Sequence, residues 1–277
     1  MSNASVFIAG LPSAGKTTFL AALWHLIRSG EVATELSYAG IEGIDVGYLN
    51  AIQARWLEHQ PMERTTGSQE QLARLNLRSQ SGSRLTLALP DFAGEGFRRM
   101  WSARRATSAI ATSAGSAEGH LFLVNVDRIA YPRTVDEYRA DLAAAGVAPG
   151  DPIPFDPVKC PTAAILADIF VALECAPIAA RPKRVGLALS AWDSVAGEGC
   201  SPEALLAERL PLVHQMVTSR ASEIQYRIFG VSAQGMAYDD DELGDDSFPD
   251  TPSHRIQIVD GADTHHDLTR LLAWLLG

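Results

Sequence analysis

The chain has 277 residues, 47% of them apolar, and a formal net charge of −10. That is enough material for one large α/β domain carrying insertions, and the acidic balance argues against broad nucleic-acid binding, which rests on cationic neutralisation of phosphates. No uninterrupted apolar run in the sequence approaches the ~18–20 residues of a membrane helix.

The opening residues Met1 to Ser5 lack the basic segment of a secretory signal. Cys160, Cys175 and Cys200 have neither metal-ligand spacing nor an even count. Free thiols in a reducing cytoplasm are therefore expected.

Val6 to Ala9 read as a buried strand, and Gly10-Leu11-Pro12-Ser13-Ala14-Gly15-Lys16-Thr17 follows it with the spacing G-x-x-x-x-G-K-[ST] of a P-loop. Gly10 and Gly15 permit backbone angles that turn successive N–H groups inward, so Ser13, Ala14, Gly15 and the first helical residues Lys16, Thr17 and Thr18 would line a phosphate nest. The helix beginning at Lys16 adds its positive end beneath the phosphates. Lys16 would neutralise the β- and γ-phosphates, and the Thr17 hydroxyl would ligate Mg²⁺.

Phe19, Leu20, Leu23, Trp24, Leu26 and Ile27 recur at helical spacing, predicting a helix from Lys16 to about Ser29 stopped by Gly30, with His25 packed inside it. Val46 to His59 carry a second helical pattern, and Glu63 to Gly67 read as a polar turn. Leu75 and Leu77, then Leu85, Leu87 and Leu89, alternate with polar or small residues around Gly82, predicting an antiparallel hairpin. The hairpin runs into Pro90 and Asp91, and a carboxylate at a strand end beside a P-loop is a Mg²⁺-side residue.

Asp91-Phe92-Ala93-Gly94 matches D-x-x-G, and with the P-loop it makes the chain resemble the Ras-like GTPases. Phe97-Arg98-Arg99-Met100-Trp101 looks like the switch II of Arf-type members. The resemblance implies that the Gly94 amide contacts the γ-phosphate. It also places Glu95 where a water-orienting glutamine usually stands, and assigns the Mg²⁺-binding switch I threonine to Thr65 or Thr66. Arg98, Arg99, Arg104 and Arg105 read as a solvated helix face, with a cis arginine finger or a docking patch as the alternative.

Further on, strands are expected at Leu121 to Val126, Val185 to Ser190 and, last, Arg227 to Val231. Ser201 and Pro202 open a helix that breaks and restarts at Pro211. The terminal helix is expected from Thr264, with Asp267 closing a capping box. A proline-rich stretch, 146–183, with a helical middle at Ala163 to Leu173, reads as an insertion, and Asp239 to Glu242 with Asp245 and Asp246 as a solvated loop.

The expected architecture is a single three-layer α/β P-loop domain over 1–277, its mostly parallel Ras-like sheet carrying one antiparallel edge strand. Insertions fall at about 31–66, 146–183 and 236–255.

Ras-like proteins read the base with [NT]-K-x-D and S-A-K. Here Ser190-Ala191-Trp192-Asp193 and Ser232-Ala233-Gln234 stand in those places. Asp193 keeps the carboxylate that pairs with guanine N1–H and N2–H₂, and the Ala233 amide would meet O6. Both lysines are absent, leaving Trp192 as a candidate substitute for their stacking.

The resemblance thus implies a cytoplasmic, Mg²⁺-dependent GTP/GDP switch that hydrolyses GTP slowly. Glu95 and Pro12 are the departures expected to slow it, and a protein partner, such as an activating protein, would act at the switch loops. A small-molecule kinase or ATPase, with Arg98 to Arg105 as its lid, and a catalytically weak nucleotide-binding module are the alternatives.

Overall fold

A computed structural model describes residues 3–62, 73–90, 95–148, 150, 155–236 and 251–277. In chain order the elements are β1 (Asn3–Gly10), α1 (Lys16–Ser29), β2 (Leu36–Glu42), α2 (Val46–Leu57), β3 (Ala73–Ser79) and β4 (Arg84–Leu89). Next come α3 (Glu95–Ala103), α4 (Ser108–Ser116), β5 (Gly119–Asn125), α5 (Val135–Ala144), α6 (Thr162–Glu174) and β6 (Arg184–Ser190). The chain ends with α7 (Pro202–Arg209), α8 (Pro211–Ser219), β7 (Gln225–Ser232), β8 (Gln257–Asp260), β9 (Asp263–His265) and α9 (Leu268–Leu276).

The described strands form one sheet in the order β2-β3-β4-β1-β5-β6-β7-β8-β9. Its centre, β4-β1-β5-β6-β7, is parallel. The expectation of a single antiparallel edge strand is corrected, because antiparallel pairs flank the centre on both sides: β2·β3 and β3·β4 at one end, β7·β8 and β8·β9 at the other. Two extensions account for the difference. Residues 31–66 contain β2 besides the expected helix, and the chain turns back after β7 to add two short strands beyond the last strand that the sequence predicts. That turn also moves the last helix, which starts at Leu268 with Asp267 as its N-cap, accepting from Thr269 N, rather than at Thr264.

The period of β1 shows how the layers form. Val6 and Ile8 face one core with α1, α2 and α9, while Phe7 and Ala9 face a second core with α3, α4, α6, α7 and α8. Neighbouring side chains of a strand point to opposite faces. A strand covered on both faces is therefore apolar throughout, and β5 and β6 are buried along almost their whole length. Helix α5 is the exception to this packing. It buries none of its residues and is held by a capping box between Thr134 and Glu137.

Local signals set the helix ends near the site. Helix α1 starts after Gly15 and stops at Gly30, both in the left-handed region. Ser201 caps α7 with Pro202 in its first turn, and Pro211 restarts the chain as α8. Strand β5 ends one residue before Val126, which turns with Asp127 and Arg128 into a 3-10 helix.

Candidate nucleotide-binding site

The carboxyl ends of the parallel strands bring the P-loop and the two base-loop sequences together. At the P-loop, Ser13 and Gly15 take positive φ, 62° and 83°. Gly10 sits in a tight space, since a Cβ there would lie 3.0 Å from both Ala14 Cβ and the Leu123 carbonyl oxygen. A left-handed non-glycine residue costs roughly 1–2 kcal/mol. Asn125 Nδ2 donates to the Ser13 carbonyl at 3.1 Å, and such a bond, worth about 1 kcal/mol net, offsets much of the strain. The next carbonyl, of Ala14, accepts from the buried Ser190 Oγ at 3.0 Å. The ends of β5 and β6 thus tether two successive P-loop peptides.

Lys16 is 4% exposed, and its ammonium donates to the carbonyls of Gly10, at 2.7 Å, and Leu11, at 3.0 Å. Thr17 and Thr18 are half-buried in the first turn of α1, which no side chain among the described residues caps. A first turn without a side-chain cap among the described residues, the helix dipole and a buried ammonium are the features of an anion site. The P-loop residues therefore suit a phosphate group.

The base loops lie at the ends of β6 and β7. Ala191 takes φ 56°, leading into a 3-10 turn at Trp192–Ser194. Ser232 Oγ donates to Asp193 Oδ1 at 2.5 Å and accepts from Gly235 N at 3.0 Å, fixing the carboxylate against the second loop. Trp192 does not fill the role considered for it. It is 3% exposed, and its indole covers Gly230, where a Cβ would sit 2.3 Å from its Cδ2, so the ring belongs to the core and not to a stacking surface. Gln234 likewise turns inward, its Nε2 lying 2.7 Å from His59 Nδ1. The Ala233 carbonyl accepts from Trp56 Nε1 of α2 at 2.8 Å.

Helix α3 begins at Glu95, which is exposed and lies 3.8 Å from Arg98 Nη1. Arg104 pairs with Asp168 of α6 and stacks on Trp101, whose Nε1 donates to the Pro157 carbonyl at 2.6 Å. The helix after D-x-x-G is therefore moored to the 146–183 segment, and Arg99 and Arg105 are exposed beside it. Thr65, Thr66, Asp91 and Gly94, and the acidic run from Asp239 to Asp246, lie outside the described residues.

The sequence patterns give Asn125 and Trp56 no part in the site, and Ser190 only a place in the base motif and not its bond to the P-loop. Ser190 holds the first position of the [NT]-K-x-D pattern, a signal that could have found it. Trp56 had none, because its contact spans 177 positions of chain. Among the described residues no cluster of three or more His, Cys, Asp or Glu could hold a metal. All three cysteines are free thiols, and among the described residues no helix is long and apolar enough to cross a membrane.

A family model described as Double-GTPase 1 matches residues 7–275. Among solved structures, the Arl6 BBS3 small GTPase of Trypanosoma brucei, with a bound nucleotide analogue, is 11% identical over 84% of this chain and 88% of its own, with TM-score 0.40. The GTP-bound Ski7 GTPase-like domain of S. cerevisiae is 14% identical over 90% of this chain and 46% of its own, with TM-score 0.41. The G domain of the T. maritima FeoB iron transporter is 12% identical over 84% and 89%, with TM-score 0.31. No curated protein matches the sequence.

Proposed function

The chain belongs to the Double-GTPase 1 family, a group of Ras-like P-loop GTPases, and from that premise we propose that it is a GTP-binding switch of low intrinsic turnover. The observation that carries this reading is the meeting of the α1 terminus, which no side chain among the described residues caps, and buried Lys16 with the Asp193–Ser232 pair at the carboxyl ends of the parallel strands. In this reading Gly10, Ser13, Ala14, Gly15, Lys16, Thr17 and Thr18 hold the phosphates, while Asp193, Ser232 and Ala233 define the guanine. Asp193 has acceptors for two guanine donors, and adenine would leave them without partners.

Magnesium, when bound, would supply positive charge against the phosphates. The Thr17 hydroxyl, together with Asp91 and Thr65 or Thr66 from outside the described residues, would supply the hard oxygen donors that Mg²⁺ takes. Lys16 supplies a fixed positive charge, and Gly94, by the D-x-x-G pattern, would offer an amide to the γ-phosphate. Glu95 orients the attacking water less well than a neutral amide, because its charge opposes the phosphoryl oxygens. Turnover on the order of 10⁻³ s⁻¹ or slower is expected.

Signalling in this reading passes through the helix after D-x-x-G. Its mooring at Asp168 and Pro157 supports a route from the phosphate loops to the 146–183 segment and any protein docked beside it. The test is phosphate release over hours from GTP and from ATP, with Lys16→Ala as control. Slow, Lys16-dependent release from GTP supports the proposal. Equal turnover of ATP, or rates of many per second, would overturn it.

A further inference from the structure

We infer that Trp56, on the helix between β2 and β3, is a specificity-determining positioning residue for the base, holding the Ala233 backbone where it meets the purine 6-position. The inference rests on the reading of Asp193 and Ala233 as the guanine site.

Trp56 is fully buried, and its one polar atom is spent on the Ala233 carbonyl at 2.8 Å. Its own carbonyl is held in turn, by Arg255 Nη2 at 2.8 Å and Gln234 Nε2 at 3.4 Å. The Arg255 guanidinium lies 4.3 Å from the centroid of the indole ring. Gly235, at φ 94°, presses so closely on this support that a Cβ would approach the Arg255 carbonyl oxygen to 2.7 Å. The loop from Ser232 to Gly235 is therefore clamped at two points, by the Ser232–Asp193 bond on one side and by Trp56 on the other.

Two features make that clamp bear on specificity rather than on folding alone. Gln234 occupies the position of the lysine that covers the base in Ras-like relatives, yet it is 6% exposed and bonded into the interior. Trp192, the other candidate cover, lies in the core. With neither side chain over the base, discrimination falls to edge contacts, and a hydrogen bond weakens steeply once its donor leaves the acceptor's direction. The Ala233 N–H is one such donor. Trp56 holds the peptide plane that follows Ala233, and the Ser232 hydroxyl, bonded to Asp193 and Gly235, restrains the residue before it, so helix α2 limits how far the Ala233 N–H can swing.

The experiment measures dissociation constants of GDP and ADP by displacement of a fluorescent nucleotide, for the full chain and for Trp56→Phe, which keeps an aromatic ring but no donor. Loss of one such bond is expected to weaken GDP by about three- to tenfold. ADP, which offers no acceptor at the purine 6-position, should change by less than about twofold, so the guanine preference narrows. Should Trp56→Phe not fold, Gln234→Met, which removes the amide from the same clamp, carries the same expectation. Equal losses for GDP and ADP, or no loss for either, overturn the inference while leaving the guanine site intact. A wild-type chain without guanine preference overturns that site, and this inference with it.

Discussion

Ser190→Ala is the substitution that probes the joint between the phosphate and base halves of the site. The hydroxyl is buried on a residue 5% exposed and donates at 3.0 Å to the carbonyl of Ala14, itself 3% exposed. Removing the donor forfeits a net 0.5–1.5 kcal/mol, roughly, and up to about 3 kcal/mol if the carbonyl is left without a replacement donor. The hydroxyl occupies little volume, so the cavity contribution is small beside this. Part of the cost falls on the fold and part on the loop conformation that receives phosphate. Melting temperature is expected to fall by a few degrees, at roughly 2–4 °C per kcal/mol for a domain approaching this size, and nucleotide affinity to weaken by about three- to tenfold. Asn125→Ala, which removes a more solvent-exposed bond to the neighbouring Ser13 carbonyl, should produce a smaller loss in the same direction. Calorimetric titration of each variant with GDP, alongside thermal melts, separates the two components. If Ser190→Ala melted lower yet bound GDP as tightly as wild type, the claim that the end of β6 organises the P-loop would be wrong.

Gly15→Ala is expected to lose at least tenfold in nucleotide affinity, because φ there is 83° and the added Cβ would lie 3.1 Å from Ser190 Oγ; left-handed strain alone costs about 1–2 kcal/mol. Wild-type affinity in that variant would refute the assigned geometry. Acid titration should show two losses of stability in different windows. Burial beside Phe7 and Phe122 pushes the His120 imidazole down to about 4, its bond to the Ala114 carbonyl acting in the opposite sense. An unfolded chain takes up that proton near 6.5, so stability present above about pH 6.5 is lost as pH falls to 4, by about 3 kcal/mol in all. Denaturant melts of His120→Gln across that range should show a flatter limb, and an unchanged slope would exclude His120 as the cause. Glu31 answers at lower pH. Burial acts to raise its pKa, but hydrogen bonds from Ser253 and His25 outweigh that and hold it below the ordinary 4.5, so its contribution is lost only in stronger acid.

Legibility in the sequence followed the range of the forces involved. The P-loop, α1 with its Gly30 stop, the hairpin and the Pro202 and Pro211 breaks rest on residues within a few positions of one another, and their signals are local. The central strands were readable because two-sided burial demands unbroken apolar runs such as Leu121 to Val124. Strands β2, β8 and β9 were not. They lie at or next to the two ends of the sheet with mixed exposure, and β2 buries only Leu36 fully. Their pairing is decided by partners far along the chain. The same limit applied within the site. Asp193 and Ser232 carried recognisable patterns, and the structure brings them to hydrogen-bonding distance. Trp192 looked available until its neighbour across β7, Gly230, showed that the indole fills a core space left by a missing Cβ. Trp56 looked like a plain apolar helix residue, and its N–H finds its acceptor only in the folded chain.

The central claim is that the carboxyl ends of the parallel strands hold a guanine nucleotide with its phosphates over the start of α1. A crystal structure of the chain with Mg²⁺ and a non-hydrolysable GTP analogue tests it most directly. The account predicts the base edge on the Asp193 carboxylate and Ala233 amide, with the phosphates against Lys16 and the first turn of α1. A folded, analogue-saturated crystal with the base seated elsewhere, or with the P-loop bare, would contradict it.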